Sequence, residues 1–283
     1  MKLFYYSSIN GVGNFGDELN HDVWRHFLPG AFEHDEGTLF VGIGTLLSER
    51  VPKARRTVVF GSGAGYHKLP TPDPTWHFYC VRGPLTAQAL GLSANVAVTD
   101  PAALVPDLPN VGPRPRRWKY AYMPHWRGDV DAWSEVCEGI DFGFIDPRWP
   151  TDRVLDALSS TEILLAEAMH GAIVADALRI PWIPIRTSSK INTFKWEDWC
   201  GSLDLEYRPY NVPKIWPPTP GAGIIRTARR WGRLKLVGGA LRRIARRQQP
   251  QLSRADLLRA RTSELRERLA RVRKNELPAI SRA

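Results

Sequence analysis

A chain of 283 residues with 43% hydrophobic content has the composition of a globular protein and excludes an intrinsically disordered one. Its formal charge of +10 is unevenly placed: residues 221–283 hold 18 Lys and Arg against 4 Asp and Glu, whereas residues 1–220 hold 21 against 25. A mildly acidic body with a strongly basic tail points to a separate anionic partner for the tail, not to a uniformly basic nucleic-acid binder.

The N-terminal "MKLFYYSSINGVGNFGDELN" has one lysine and no long apolar run, so no secretory signal is expected. No stretch of about 18 residues is free enough of charge to cross a bilayer. Cys80, Cys137 and Cys200 are odd in number and far apart, which fits reduced thiols in the cytoplasm and neither a disulfide framework nor a zinc site. Eleven tryptophans suit a protein that handles large, partly apolar ligands.

In chain order, Lys2 to Tyr6 reads as a first strand, followed by a glycine-bearing loop and a helix begun by Asp17 or Asn20 that includes Val23, Trp24 and Phe27. "TLFVGIGTLL" and "RTVVFGSGAGY" read as strands ending in glycines, and "FYCVRGPLTAQALG" as a strand, a turn and a helix stopped by Gly91. "ANVAVTDPAALV" predicts a further strand ending at Asp100. Strands that each end in a Gly-, Asp- or Arg-bearing turn are the pattern of a doubly wound α/β domain. "PNVGPRPRRWK" (Pro109 to Lys119) is the candidate linker. Beyond it come strands in "YAYMPHW", "FGFIDPR", "TEILLAE" and "PWIPI", with helices over Trp133 to Cys137 and Thr151 to Leu158.

The expected architecture is therefore α/β with two Rossmann-like domains, 1–110 and 118–220, a cleft between them, and a basic helical tail over 221–283. In the tail, Ile224 to Arg247 has apolar residues at Leu234, Val237, Leu241 and Ile244, interrupted by Gly238 and Gly239. Leu252 to Arg273 opens with Ser253 and Asp256, a capping-box-like start, and carries a stripe of Leu258, Thr262, Leu265, Leu269 and Val272.

"TEILLAEAMHGAIVADALRIPWIPI" (Thr161 to Ile185) reads as strand, short helix and strand, a βαβ unit with His170 in the first turn of its helix. Ligands in such units bind beyond the carboxyl ends of strands, against helix N-termini. His170 is either a ligand-facing acid or a satisfied core histidine, since Ile173, Val174 and Ala177 share its helical face. "GVGNFGDE", "GIGT" and "GSGAG" can each converge backbone amides on an anion, or use glycine for tight strand-to-helix geometry. Arg82, directly after a strand in "CVRGPLT", is placed for a two-pronged contact with a carboxylate or phosphate, or is a surface arginine. His125 in "YMPHW" and Lys190 in "RTSSKINTFKWEDW" also lie just past strands.

Together "NFGDELN", "TLFVGIGTLL", "GSG", "VRGPLT", "TDPAALV", "MPHW", "EAMHGAIVADALRIPWIPI" and "INTFKWEDW" resemble the polysaccharide pyruvyl transferase family, in particular its bacterial exopolysaccharide enzymes, from about residue 2 to about residue 205. The resemblance implies a GT-B-like fold and phosphoenolpyruvate as donor substrate, and the ketal chemistry it points to requires no metal and no further cofactor. It implies as acceptor a sugar diol on a polyprenyl-diphosphate-linked oligosaccharide. It assigns donor handling to Arg82 and His170. Many members have Arg-Leu-His where this chain has Ala168, Met169 and His170, so Lys190, Arg186 or Lys195 is left to supply the charge.

Making a pyruvate ketal from an enol phosphate needs a proton delivered to the methylene carbon and fixed donors around a carboxylate and a departing phosphate. His170 is then the expected acid, Arg82 the donor anchor, and Asp17 and Glu167 the bases on the sugar hydroxyls. Asn14, Gly16, Gly61, Ser62, Gly63, His125, Arg186, Lys190 and Lys195 are the expected substrate-binding residues. The tail would hold the enzyme at the anionic inner face of the cytoplasmic membrane, with docking on the acidic body or self-association as alternatives. The rival functions are a GT-B nucleotide-sugar glycosyltransferase and, ranked lower, a nucleic-acid-binding protein.

Overall fold

The computed structural model describes residues 1–6, 13–33, 37–215 and 223–277, and its strands lie in two parallel sheets. The first has the order β1 (Lys2–Phe4), β2 (Thr38–Val41), β3 (Arg56–Phe60), β4 (Trp76–Cys80). The second has the order β6 (Gly143–Phe144), β5 (Trp118–Met123), β7 (Thr161–Ala166), β8 (Trp182–Arg186), β9 (Tyr210–Asn211). In register, Phe40 faces Val58 in the first sheet and Ala121 faces Leu164 in the second.

Helix α1 (Phe15–Phe27) connects β1 to β2, and α2 (Pro84–Ala89) follows β4. In the second sheet α3 (Val130–Glu138), α4 (Thr151–Ser159) and α5 (Met169–Ala177) supply the crossovers that parallel strands require. The chain leaves β5 toward β6, then returns past β5 to lay down β7, so the direction of winding reverses between β5 and β7. That reversal opens a crevice at the carboxyl ends of the two strands. The first sheet has no such reversal among its described strands and grows in sequence order, so the doubly wound pattern belongs to the second sheet.

Side chains alternate across the second sheet. Ala121, Met123, Leu164 and Ala166 join one apolar cluster, and Tyr122, Leu165 and Ile183 join another with α3. The first of these clusters also contains Leu19, Val23, Trp24, Phe40, Phe60 and Leu104, so one apolar core is shared by elements of both sheets.

Several expectations need correction. Residues 94–100 are not a strand. Ala94–Val96 and Pro101–Asp107 are 3-10 turns, with only an isolated bridge from Val81 to Ala97. Asp100 caps the second turn by accepting a hydrogen bond from the Ala102 amide at 3.0 Å, and Pro101 fits the first helical position. Helix α1 begins at Phe15, ahead of Asp17 and Asn20. Asn20 serves a tertiary contact instead: its Oδ1 accepts from the Ile43 amide and Trp24 Nε1, both at 2.8 Å, and its Nδ2 donates to the Ile43 carbonyl at 2.9 Å. Gly11 of the first glycine turn lies outside the described residues.

The tail forms α7 (Ile224–Arg247) and α8 (Ala255–Glu276). The glycine pair does not interrupt α7. A Cβ at Gly238 would lie 2.7 Å from Ile140 Cγ2, so glycine here lets α7 approach the end of α3 closely. Ser253 does not cap α8; its amide donates to Asp176 Oδ1 at 2.8 Å and its hydroxyl to Asp176 Oδ2. The expected stripe of α8 is buried, and it packs on the body. Arg266 forms a two-pronged pair with Asp107 at 2.8 and 2.9 Å, and Glu276 accepts from Arg56 Nη2 and from the Tyr79 hydroxyl. Helix α8 thereby covers the exposed edge of β4. No helix among the described residues is long and apolar enough to cross a membrane.

Substituting Gly238→Val should overpack the α3–α7 contact and lower stability by about 1–3 kcal/mol. Adding Ile140→Ala should recover part of that loss in thermal melts; no recovery would place the strain elsewhere.

Candidate active site

The crevice predicted by the reversal is present as a cleft of about 600 Å³. Its walls come from the carboxyl ends of strands in both sheets: Thr45 beyond β2, Tyr66 and His67 beyond β3, Met123 and His125 to Gly128 at and beyond β5, Glu167 to His170 beyond β7, and Thr187, Ser188, Lys190 and Ile191 beyond β8. The N-terminus of α1 enters it with Asn14, Phe15, Gly16 and Asp17.

His170 lies where the two halves meet. It occupies the first turn of α5, and its side chain is 13% exposed, so it is neither free in solvent nor sealed in the core. Its ring lies against α1: a Cβ at Gly16 would come within 1.9 Å of His170 Nδ1. Only glycine at position 16 leaves room for the imidazole. On the other edge, His170 Nε2 is 3.6 Å from Asp100 Oδ2, beyond hydrogen-bond length, and both atoms are buried with no hydrogen-bond partner among the described residues. A carboxylate so placed orients the ring without clamping it. In the sequence Asp100 was legible as the end of a presumed strand and as part of "TDPAALV", not as a neighbour of His170.

Asp17 follows Gly16 and accepts a hydrogen bond from Asn14 Nδ2 at 2.8 Å. Burial pushes its carboxyl above the usual range, opposed by the Asn14 hydrogen bond and by the charges of His170 and Lys195. His125 is pushed down to about 3, first by burial and then by the cations Lys195 and Arg127, so its ring is neutral at physiological pH. Its Nδ1 lies 3.3 Å from the Arg127 amide, as an acceptor.

Four cationic side chains line the cleft: Arg50, Arg127, Lys190 and Lys195. Lys195 is nearly buried and donates from Nζ to the Tyr66 hydroxyl at 2.8 Å. With Asp17 and Glu167 as the carboxylates lining the same space, cations are in excess, which suits an anionic ligand. Tyr6, Tyr66 and Trp126 add aromatic faces, and Arg127 stacks over Trp126 at 4.8 Å. Of these, Arg50, Arg127, Tyr6, Tyr66 and Trp126 were missed as site residues. Trp126 closes the quoted "MPHW" and Arg127 directly follows it, so position after a strand was the available signal.

Glu167 is 2% exposed, and its oxygens already accept three hydrogen bonds: from the Thr187 amide at 2.6 Å, the Thr187 hydroxyl at 2.7 Å and the His125 amide at 3.2 Å. The geometry makes it a clamp between the segments after β5, β7 and β8, and leaves it poorly placed to take a proton from a ligand.

Arg82 is brought near the cleft but not into it. Its side chain is fully buried; Nε donates to Asp198 Oδ2 at 3.0 Å, Nη1 to Thr45 Oγ1 at 2.9 Å and Nη2 to the Ala64 carbonyl at 3.1 Å. Asp198, on α6 (Thr193–Ser202), also accepts from the Thr86 amide and hydroxyl. The turn of Gly61, Ser62 and Gly63 is likewise packed. A Cβ at Gly61 would meet Pro101 at 2.0 Å and one at Gly63 would meet Arg82 at 2.2 Å, while the amides of Gly61 and Gly63 donate to the carbonyls of Cys80 and Gly44. These glycines serve close packing and not an anion cradle. Arg186 turns away and donates to Asn211 Oδ1 at 3.0 Å. Among the described residues no cluster of three His, Cys, Asp or Glu side chains is placed to hold a metal ion.

A two-sheet α/β protein with a cationic cleft and a histidine at a helix N-terminus agrees with the comparison of sequences. A family model described as polysaccharide pyruvyl transferase matches residues 14–189, and the chain belongs to that family. The chain is also 42% identical over 236 residues to the succinoglycan biosynthesis protein ExoV of Rhizobium meliloti (strain 1021), covering 82% of this chain and 73% of that relative.

Removing one partner of the buried Arg82–Asp198 pair leaves the other charged and desolvated. Asp198→Ala should therefore cost about 3–5 kcal/mol of unfolding free energy in denaturant titrations; a cost below about 1 kcal/mol would contradict the pairing. Asp17 gives a second test. Its native carboxyl titrates above its unfolded value, so its contribution to stability is fully present below the ordinary carboxylate range and is lost as pH rises through the raised native value. Asp17→Asn should thus be at least as stable as the parent at neutral pH, with the advantage vanishing on acidification. A variant less stable at neutral pH would reverse the sign.

Proposed function

We propose that this protein transfers the pyruvyl group of phosphoenolpyruvate onto two hydroxyls of a sugar, forming a cyclic ketal and releasing inorganic phosphate. The acceptor in this reading is the polyprenyl-diphosphate-linked repeat unit of an exopolysaccharide, consistent with the succinoglycan role in the name of the ExoV relative. The two sheets would act as two GT-B-like domains over 1–110 and 118–220, working at the inner face of the cytoplasmic membrane. The observation that carries the reading is the seating of His170 over Gly16, beside Asp17, in a cleft with an excess of cations.

The residues divide the chemistry between them. Lys195, Lys190, Arg127 and Arg50 hold the carboxylate and phosphate of the donor, and the first amides of α5 add the positive end of a helix. They take the place of the cation that many family members carry at the position of Ala168. His170 delivers a proton to the methylene carbon, and cationic character develops at the adjacent carbon. The first sugar hydroxyl attacks that carbon and gives its proton to Asp17, whose burial raises its affinity for a proton. The C–O bond to phosphate then breaks, the second hydroxyl closes the ring, and its proton leaves with the phosphate. Neutral His125 offers a hydrogen bond to the sugar or the donor without adding charge. Tyr66 and Trp126 supply faces on which sugar rings stack. Glu167 and Arg82 act on the shape of the cleft, Arg82 through Thr45.

His170→Ala should keep the fold and lose roughly two to four orders of magnitude in pyruvyl transfer, measured as ketal product by mass spectrometry. Near-normal transfer by a folded variant would remove His170 from the role of acid.

A further inference from the structure

The two tail helices differ in what they leave unsatisfied. Helix α8 carries Asp256, Glu264 and Glu276 in ion pairs with tail or body arginines, and its apolar stripe is buried. Helix α7 has no acidic residue at all and nine basic ones. Two of the nine turn to the body: Arg230 pairs with Glu135 through two bonds of 2.9 Å, and Arg233 donates to the Lys214 carbonyl. Val237, Leu241 and Ile244 are buried on the same side of the helix.

The opposite face is open. It presents Ile225 at 72% exposure and Leu236 at 54%, together with exposed Arg229, Arg243 and Arg247. Trp231, 60% exposed, stands at its border with Lys235 Nζ 3.5 Å above its ring. Large apolar side chains interleaved with unneutralised arginines suit an interface that is anionic at its surface and apolar just beneath. A nucleic acid would satisfy the arginines but would offer Ile225, Trp231 and Leu236 no apolar phase.

The face is also in register with the cleft. Arg230 meets Glu135 within α3, and Gly238 meets Ile140 beyond its end, so α7 runs parallel to α3. Helix α3 begins at Val130, two residues after the cleft-lining Gly128. The N-terminal half of α7 therefore lies at the same edge of the second sheet as the cleft. We propose that the outward face of α7, from Ile225 to Leu236, seats the protein on an anionic lipid surface with the cleft opening alongside it, while α8 only fastens the tail to the body. This rests on the reading of the acceptor as lipid-linked and names the surface that brings cleft and lipid together.

The test is flotation of the full chain with vesicles of phosphatidylcholine, with and without phosphatidylglycerol. Parent protein should float only with the anionic vesicles. Arg229→Ala with Lys235→Ala should weaken binding about twenty-fold, and Ile225→Ser with Trp231→Ser and Leu236→Ser at least ten-fold. Arg259→Ala with Arg271→Ala, two exposed positions of α8, should change it less than about two-fold. Circular dichroism should show all variants folded, since none of these side chains is buried. Transfer onto acceptor dispersed in detergent should persist in the α7 variants, which separates this surface from the assignment of His170. Unchanged flotation of the α7 variants, loss caused by the α8 pair, or tighter retention on duplex DNA than on the anionic vesicles would overturn the proposal.

Discussion

Arg82 and Asp198 meet out of contact with solvent where α2 and α6 pack together, and the cleft takes its shape from that meeting. A guanidinium and a carboxylate removed from water are tolerable only if their polar atoms are hydrogen-bonded. Here each nitrogen of the guanidinium and each oxygen of the carboxylate has at least one partner: Thr86 bonds the carboxylate, and Thr45 and the Ala64 carbonyl bond the guanidinium. Two consequences reach the ligand side. Thr45, a wall residue, is held from behind by Arg82, and Lys195, one helical turn before Asp198 on α6, is held with its amine toward the cleft. The pair is thus the fixed point from which a cation of the cleft wall is positioned.

The same economy is visible around the histidines. His125 and His170 both line the cleft, but their surroundings differ. Burial and two neighbouring cations keep His125 neutral. His170 instead has the Asp100 carboxylate behind it and Asp17 beside it, with the helix α5 amides around its base. The two rings thus differ in the charges set around them: cations beside His125 and carboxylates beside His170.

How much of this was legible in the sequence depended on whether a residue's role was local. Strand and helix positions in the second half, the stripe of α8 and the location of His170 follow from periodicity and from the rule that ligands gather at strand ends, and the structure agrees with them. Roles fixed by tertiary partners were not legible. Asn20 reads as a helix cap but joins α1 to the Ile43 backbone; Gly63 reads as an anion cradle but makes room for Arg82; Ser253 reads as a cap but binds Asp176. Helix α6 escaped notice because its buried face includes Lys195 and Asp198, so polar letters conceal an interior surface. Arg82 illustrates the general difficulty: an arginine after a strand looks the same whether it faces a ligand or a buried aspartate 116 positions away.

If the cleft holds the donor as argued, its anionic groups must lie among Arg127, Lys190 and Lys195 with the methylene carbon next to the His170 ring. The most direct measurement is a crystal structure of the protein with phosphoenolpyruvate. The account predicts density for the donor against those cations, its methylene carbon in van der Waals contact with an edge of the imidazole. Donor bound outside the cleft, or within it but with the phosphate and not the methylene group against His170, would contradict the account.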